Sequence, residues 1–557
     1  MDDLPAGQVD KKNIGRLERL QKKANNTYNQ QEQMPQVEMQ PVDVPMWVGP
    51  MPMPPKKKRT WKEKLMSDFG GGMHQAVTKE ELKLPQWLIG KSVLFFFIAY
   101  AVCRYAFGYP QPLDIIMVAS ISVVLFFYGA SGMAKSWMRK RERTFLKNVF
   151  WTGAIIRLLW VCYLYFIFNP VHYGSPLGSG EDTGWYMDFG KDIAGWIFSG
   201  MPIPFRQLMA NHASAIDDIG YPIWLAIIYL LTGDFSDIFI PFVIKSFLGA
   251  HCAISIYRVA KRHYGAGVAR MAALFVMLNP NIIYWCGTMM KEAEMVFLCC
   301  LFVDKADATL SMSSKLGFKQ LIPGILIGLV LMFMRTALGL VAFMAIFAHI
   351  IFVSNKVMST GKKVLAGILV AIALFVGIGD RFIAQSREHI EQVEAGGQQV
   401  NMEWRSTRRG GNSFAKYAGA TVFAPLIFTI PFPTFNQANE EQIVQPITAG
   451  GSYIRNVLSV FVIMVMLLLL VSGEWRKHVF ILAYTLGYLL VLVLSGYAQS
   501  GRFHMPVWPM IMLFAAYGIQ VLRDNKRIKY WYNLVLVLEI FICLGWNWFK
   551  LKGRGMI

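Results

Sequence analysis

The sequence predicts an all-α protein, a polytopic bundle of membrane-spanning helices behind a polar tail. Three observations carry this. Apolar residues fill 55% of the 557 positions and charged residues only 16%, against about 25% charged in an ordinary soluble domain. The deficit is uneven: residues 1–88 are polar, and beyond Pro85 apolar runs follow one another, many near the roughly 20 residues that cross about 30 Å of hydrocarbon. Runs such as Val93–Cys103 and Val457–Val471 hold no charged residue at all, where a core helix of a soluble protein would show a polar face.

Taken in chain order, residues 1–88 read as a cytoplasmic tail. Asn25–Pro55 is rich in Gln, Met, Pro and Asn, with little to bury, which predicts disorder. Lys56–Arg59 suits nuclear import or an anionic lipid surface, and its place ahead of the first span favours the lipid. Thr78-Lys-Glu-Glu81 has the pattern of a helix start. The N-terminus lacks the apolar stretch of a secretory signal. The membrane domain, 89–557, offers thirteen spans, at about 89–108, 114–133, 149–169, 235–256, 264–286, 291–304, 319–335, 336–353, 363–383, 454–472, 477–497, 505–522 and 530–549.

One further run, Tyr221–Leu231, is too short to cross and fixes the topology of everything after it. If it does not span and the N-terminus is inside, then Lys135–Lys147, Arg258–Arg262, Lys356–Lys363, Arg476–Lys477 and Arg523–Lys529 all lie inside, as the positive-inside rule asks. If it spans, the last four flip. We therefore read it as a re-entrant or interfacial helix. Lys550, Lys552 and Arg554 then dissent, lying outside. The net charge of +20 is accounted for by cytoplasmic loops facing anionic lipid, so membrane lipids rather than nucleic acid are the expected partners. All seven cysteines lie in apolar runs without metal-ligand spacing and read as small packing residues.

Two large extracytoplasmic loops result, about 170–234 and 384–453, with short turns around Lys291 and Arg502 on the same side. The first loop carries Gly180-Glu-Asp-Thr-Gly-Trp-Tyr-Met-Asp-Phe-Gly-Lys-Asp192. Acids this dense suit a general base, a divalent cation, or simply a helix N-terminus. Asn279-Pro-Asn-Ile-Ile-Tyr-Trp-Cys-Gly-Thr-Met-Met-Lys-Glu292 brings an acid to the surface after a proline-ended span, and Gly501-Arg-Phe-His-Met-Pro-Val-Trp-Pro509 leads into a late span. Arg335, between two apolar runs, either snorkels or holds an anion. Lys245 stands inside a span near mid-membrane, where a charge is costly. Asp217 and Asp218 suit a local turn, and His504 suits a polar interface or a ligand. Arg381, Arg387, Arg405, Arg408, Arg409 and Lys416 gather around the second loop, and Phe423–Phe435 can return to the membrane surface.

These segments, with Gly220-Tyr-Pro-Ile-Trp-Leu-Ala-Ile-Ile-Tyr-Leu-Leu-Thr-Gly233, resemble in order the motifs of the GT-C superfamily of integral membrane glycosyltransferases. The likeness is to bacterial members related to protein mannosyltransferases and aminoarabinose transferases, and it covers about 149–525. It implies a GT-C-type bundle and an inverting glycosyltransferase of the bacterial inner membrane, with its active site periplasmic. The donor would be a sugar on polyprenyl phosphate or diphosphate, and the acceptor a glycan, lipid or protein. Asp182 or its neighbour Glu181 would be the catalytic base. Arg502, Arg335 and Lys291 would bind the donor phosphate, and Tyr186, Glu292 and His504 the substrate. Asp182 and Glu292 would hold a divalent ion, Mg or Mn, where one is used. A lipid-linked glycan transporter or flippase, or a polysaccharide polymerase or ligase, fits the same topology.

Overall fold

A computed structural model describes residues 86–108, 113–137, 139–177, 181–204, 218–311, 318–353, 445–494, 501–524 and 528–553. All of them belong to one compact unit, Thr60–Ile557. The tail, the expected span 363–383, the second-loop cations, Phe423–Phe435 and Asp217 lie outside the described residues, as does the side chain of Glu181.

Among the described residues every regular element is a helix. Five stretches are long and apolar enough to cross a membrane: Ile116–Trp137, Glu142–Tyr173, Phe239–Leu278, Gly450–Ser472 and Met505–Arg523. Gly220–Thr232, Gln320–Met334 and Thr336–Phe352 are shorter apolar helices. Thirteen spans are therefore an expectation rather than a count. Part of the gap comes from one reversal. After α1 (Gln86–Tyr105) and α2 (Leu113–Trp137), Gly153 of α3 (Glu142–Tyr163) faces both Ala250 and Met277, at 3.5 and 3.2 Å from where a Cβ would stand. In a straight helix those two residues would be about 40 Å apart. The Phe239–Leu278 run instead folds back at Gly265, whose φ of 83° and ψ of 173° leave the helical region; glycine takes that conformation without a Cβ clash. The run is two helices, α6 (239–264) and α7 (266–278). Arg157 of α3, fully buried, fastens the end of α7 by donating to Met277 O at 3.1 Å and Val276 O at 3.4 Å, as a cation suits a helix C-terminus.

The remaining elements that shape the site are α4 (Glu181–Phe198), α5 (Gly220–Thr232), α8 (Glu292–Leu310), α9 (Phe318–Met334), α10 (Thr336–Val353), α11 (Gln445–Ser472), α12 (Val479–Leu494) and α13 (Trp508–Asp524). At 13 residues, α5 is about 20 Å long and falls short of the hydrocarbon thickness. It lies along α4, where Gly190 faces Leu225 and Tyr229. Tyr186, Phe189, Tyr221, Leu225 and Phe242 form an apolar core of their own with Met289 and Met290. A larger core runs through α6, α7, α8, α11 and α13. The start of α5 also presses on the end of α9: a Cβ at Gly220 would stand 2.9 Å from the Phe333 backbone. Only glycine allows that approach, and it places 218–221 beside Arg335.

Candidate functional site

Asp182 is the second residue of α4, Glu292 the first of α8, and Arg502 lies in the turn that leads to α13. Arg502 joins all three. Its Nη1 donates to Asp182 Oδ2 at 2.8 Å and its Nε donates to Glu292 Oε1. Burial works against the Arg502 charge, but the two carboxylates outweigh it and hold its pKa above the ordinary guanidinium value. The two acids differ in setting. The Asp182 side chain is 54% exposed and Glu292 is 0% exposed. Glu292 Oε2 is buried and meets no hydrogen-bond donor among the described residues, so one lone-pair site stands unused at the closed floor of the clamp.

A second pair stands beside the first. Lys291, 1% exposed, forms an ion pair with Asp218, and Tyr186 Oη donates to the same carboxylate at 3.0 Å. Lys291 Nζ lies 5.9 Å from the centre of the Tyr186 ring. Burial, then the charge of Glu292, pushes the Tyr186 phenol above its ordinary value and keeps it a donor. Asp218 is thus a partner within the cluster rather than the local turn residue its sequence context suggests.

Behind the clamp, Arg335 donates to Tyr488 Oη at 3.1 Å, and Tyr488 Oη donates to Phe503 O at 3.1 Å. The Arg335 guanidinium also covers the Phe503 ring at 4.5 Å. Arg335 is 8% exposed and forms no ion pair with a described residue, which makes it the cation best placed to receive an anion. His504 is turned elsewhere. Arg455 Nη1 meets His504 Nδ1 at 2.7 Å, and Arg455 lies 4.9 Å from the centre of the Trp508 ring. A guanidinium only donates, so Nδ1 must accept and the imidazole is the neutral Nε2–H tautomer.

Every residue expected at the site therefore comes to this end of the bundle except Glu181, which is placed only through its backbone at the start of α4. Their partners differ. Arg502 bridges the acids, Arg335 forms no ion pair with a described carboxylate although the charge of Glu292 acts on it, Lys291 pairs with Asp218, and His504 meets Arg455. Sequence reasoning missed Tyr488 and Arg455. Tyr488 carried no signal, being one aromatic in an apolar run. Arg455 carried the signal used for Lys245, a charge inside an apolar segment.

Lys245 sits on the seventh residue of α6, about 9 Å from the helix start by its rise, and so nearer the site than the sequence suggests. Its ammonium donates to Tyr221 Oη, Thr288 O and Met290 O, each at 2.7 Å, and Glu294 lies 3.5 Å away.

The expected divalent ion does not fit the clamp as it stands. Both carboxylates proposed to hold it are bonded to one guanidinium, and no group of three or more metal-ligating side chains gathers among the described residues.

No protein-family model and no curated protein matches the chain. Among solved structures it is similar to the Archaeoglobus fulgidus oligosaccharyltransferase, crystallised in complex with Zn and sulfate, at 13% identity and a TM-score of 0.38. The match covers 72% of this chain and 52% of that one, so the chain spans about half the length of that enzyme.

Proposed function

We propose that the chain is an inverting glycosyltransferase of GT-C type that moves a sugar from a polyprenyl-phosphate or polyprenyl-diphosphate donor to a glycan, lipid or protein acceptor. We place the reaction at the periplasmic face of a bacterial inner membrane. One observation carries the reading: Arg502 bonds at once to Asp182, 320 positions away, and to Glu292, 210 positions away. Three motifs chosen from the sequence for their joint resemblance are in direct contact.

The chemistry follows from exposure and charge. Asp182, at the open edge, accepts the proton of the acceptor hydroxyl or amide. The acceptor atom attacks the anomeric carbon from the face opposite the phosphate. The bond from that carbon to the phosphate oxygen breaks, and the phosphate leaves with the electron pair. Arg335 neutralises the charge that develops on it, joined by Arg502 as the clamp turns toward the phosphate. The same turn frees Asp182 to act as base. It also uncovers Glu292, which then accepts from a hydroxyl of the bound sugar. Base and leaving group on opposite faces give inversion. Glu181, one residue earlier, is the alternative base. No step requires a metal ion.

The test is a structure determined with a polyprenyl phosphate in a lipid nanodisc. The phosphate is expected within hydrogen-bonding reach of Arg335 and Arg502. A phosphate bound deep among the spans, away from Asp182, supports the transporter reading and overturns this one.

A further inference from the structure

We infer that Lys245 is a positioning residue that sets Lys291 and Glu292 from beneath; the inference rests on the site proposed above. An ammonium has three protons, and all three are used, on Tyr221 Oη, Thr288 O and Met290 O. The two carbonyls belong to the three residues that immediately precede Lys291 and Glu292, in a segment with no helical hydrogen bonding of its own between Trp285–Gly287 and α8. The backbone that leads into both side chains is therefore held by one cation up to the point where α8 begins. The third partner lies on the opposite wall. Tyr221 is the second residue of α5, and its ring meets that of Tyr186 edge to face at 5.1 Å. Tyr186 in turn holds Asp218, the counter-ion of Lys291.

Lys245 thus ties the segment carrying Lys291 and Glu292 to the wall carrying Tyr186 and Asp218. It touches neither the clamp nor the open edge. Glu294, one residue beyond Ala293 on α8, balances its charge. A buried ion pair is an inefficient way to stabilise a membrane bundle, since an apolar pair of similar volume packs as well. A methionine can replace the volume of Lys245, but nothing apolar can replace three directed donors. Small displacements of groups placed this way change reactivity far more than they change packing.

That contrast supplies the test. The full chain in nanodiscs is compared with the double variant Lys245→Met/Glu294→Met, which removes both charges together, and with the milder Tyr221→Phe. Lys291 is read by acetic anhydride labelling and peptide mass spectrometry, with exposed Lys261 as the internal standard. Undecaprenyl phosphate binding is measured alongside. In the double variant the thermal midpoint is expected to hold within a few degrees. Lys291 labelling should rise at least tenfold relative to Lys261, and lipid-phosphate binding should weaken about tenfold. Tyr221→Phe should give a smaller rise in labelling, about threefold, and keeps the question answerable if the double variant does not fold. Wild-type protection of Lys291 in either folded variant overturns the inference. If Lys291 is released but the wild-type chain itself binds no lipid phosphate, the proposed function fails and the positioning role stands.

Discussion

Replacing Asp182 by Asn separates the chemistry of the clamp from its architecture. The asparagine side chain is isosteric, and its oxygen can still accept from Arg502 Nη1, now 2.8 Å from Oδ2. With 54% of the Asp182 side chain exposed, its ion pair is largely solvated and contributes at most about 1 kcal/mol to stability. The amide, however, cannot take a proton. A positioned general base is worth about 10²–10⁴ in rate, or roughly 3–5 kcal/mol of barrier. The expected result is a thermal midpoint close to wild type, unchanged donor binding, and transfer reduced at least a hundredfold. The assay is single-turnover release of polyprenyl phosphate from a labelled lipid-linked sugar in nanodiscs, with unfolding followed in parallel. The contrasting variant is Glu292→Ala. Glu292 is fully buried, and truncating it breaks a buried pair, a change that costs about 3–5 kcal/mol and should lower stability and transfer together. Turnover by Asp182→Asn above about a tenth of wild type refutes the assignment of the base, and equal stability losses in the two variants refute the reading of their environments.

Four further outcomes are expected. Arg335→Met should weaken polyprenyl phosphate binding about tenfold or more in a titration, and Arg335→Lys should rescue little, because the bond to Tyr488 and the cover over Phe503 need a planar guanidinium; full rescue by lysine contradicts this. Gly220→Val should lower stability by about 1–3 kcal/mol in thermal unfolding, because the new side chain meets the Phe333 backbone where a Cβ already stands at 2.9 Å; an unchanged midpoint removes the argument for close approach. Chelation by EDTA should change the transfer rate less than twofold, and a strict Mg or Mn requirement would show that Asp182 and Glu292 leave Arg502 for a metal. The raised Tyr186 value has a defined sign. The native state favours the neutral phenol, so its contribution is full below the ordinary tyrosine value of about 10 and is lost as pH rises through the higher folded value. Transfer by wild type should therefore show no alkaline loss traceable to Tyr186 between pH 7 and 9, tested by comparing its profile with that of Tyr186→Phe.

The site was legible where its signals were local. Acids following a span, a proline-ended span before Lys291-Glu292, and an arginine ahead of two prolines can each be seen in a few residues. What those side chains bond to was not legible. Nothing near Lys291 in sequence points to Asp218 as its partner. Nor does any local pattern show that one guanidinium lies between Asp182 and Glu292, or that Arg455 meets His504 Nδ1. Tyr488 gave no sign at all.

The fold divides in the same way. Run length and composition mark the segments apolar enough to leave water and show that α5 is too short to cross, because transfer into hydrocarbon is decided residue by residue within one segment. The reversal of Phe239–Leu278 at Gly265 follows from packing alone. Packing also brings Lys245 to the carbonyls of Thr288 and Met290 and Arg502 to acids from two distant helices. Those pairings depend on how helices pack across hundreds of positions, and ionic partners are set by proximity in space, which no local pattern encodes.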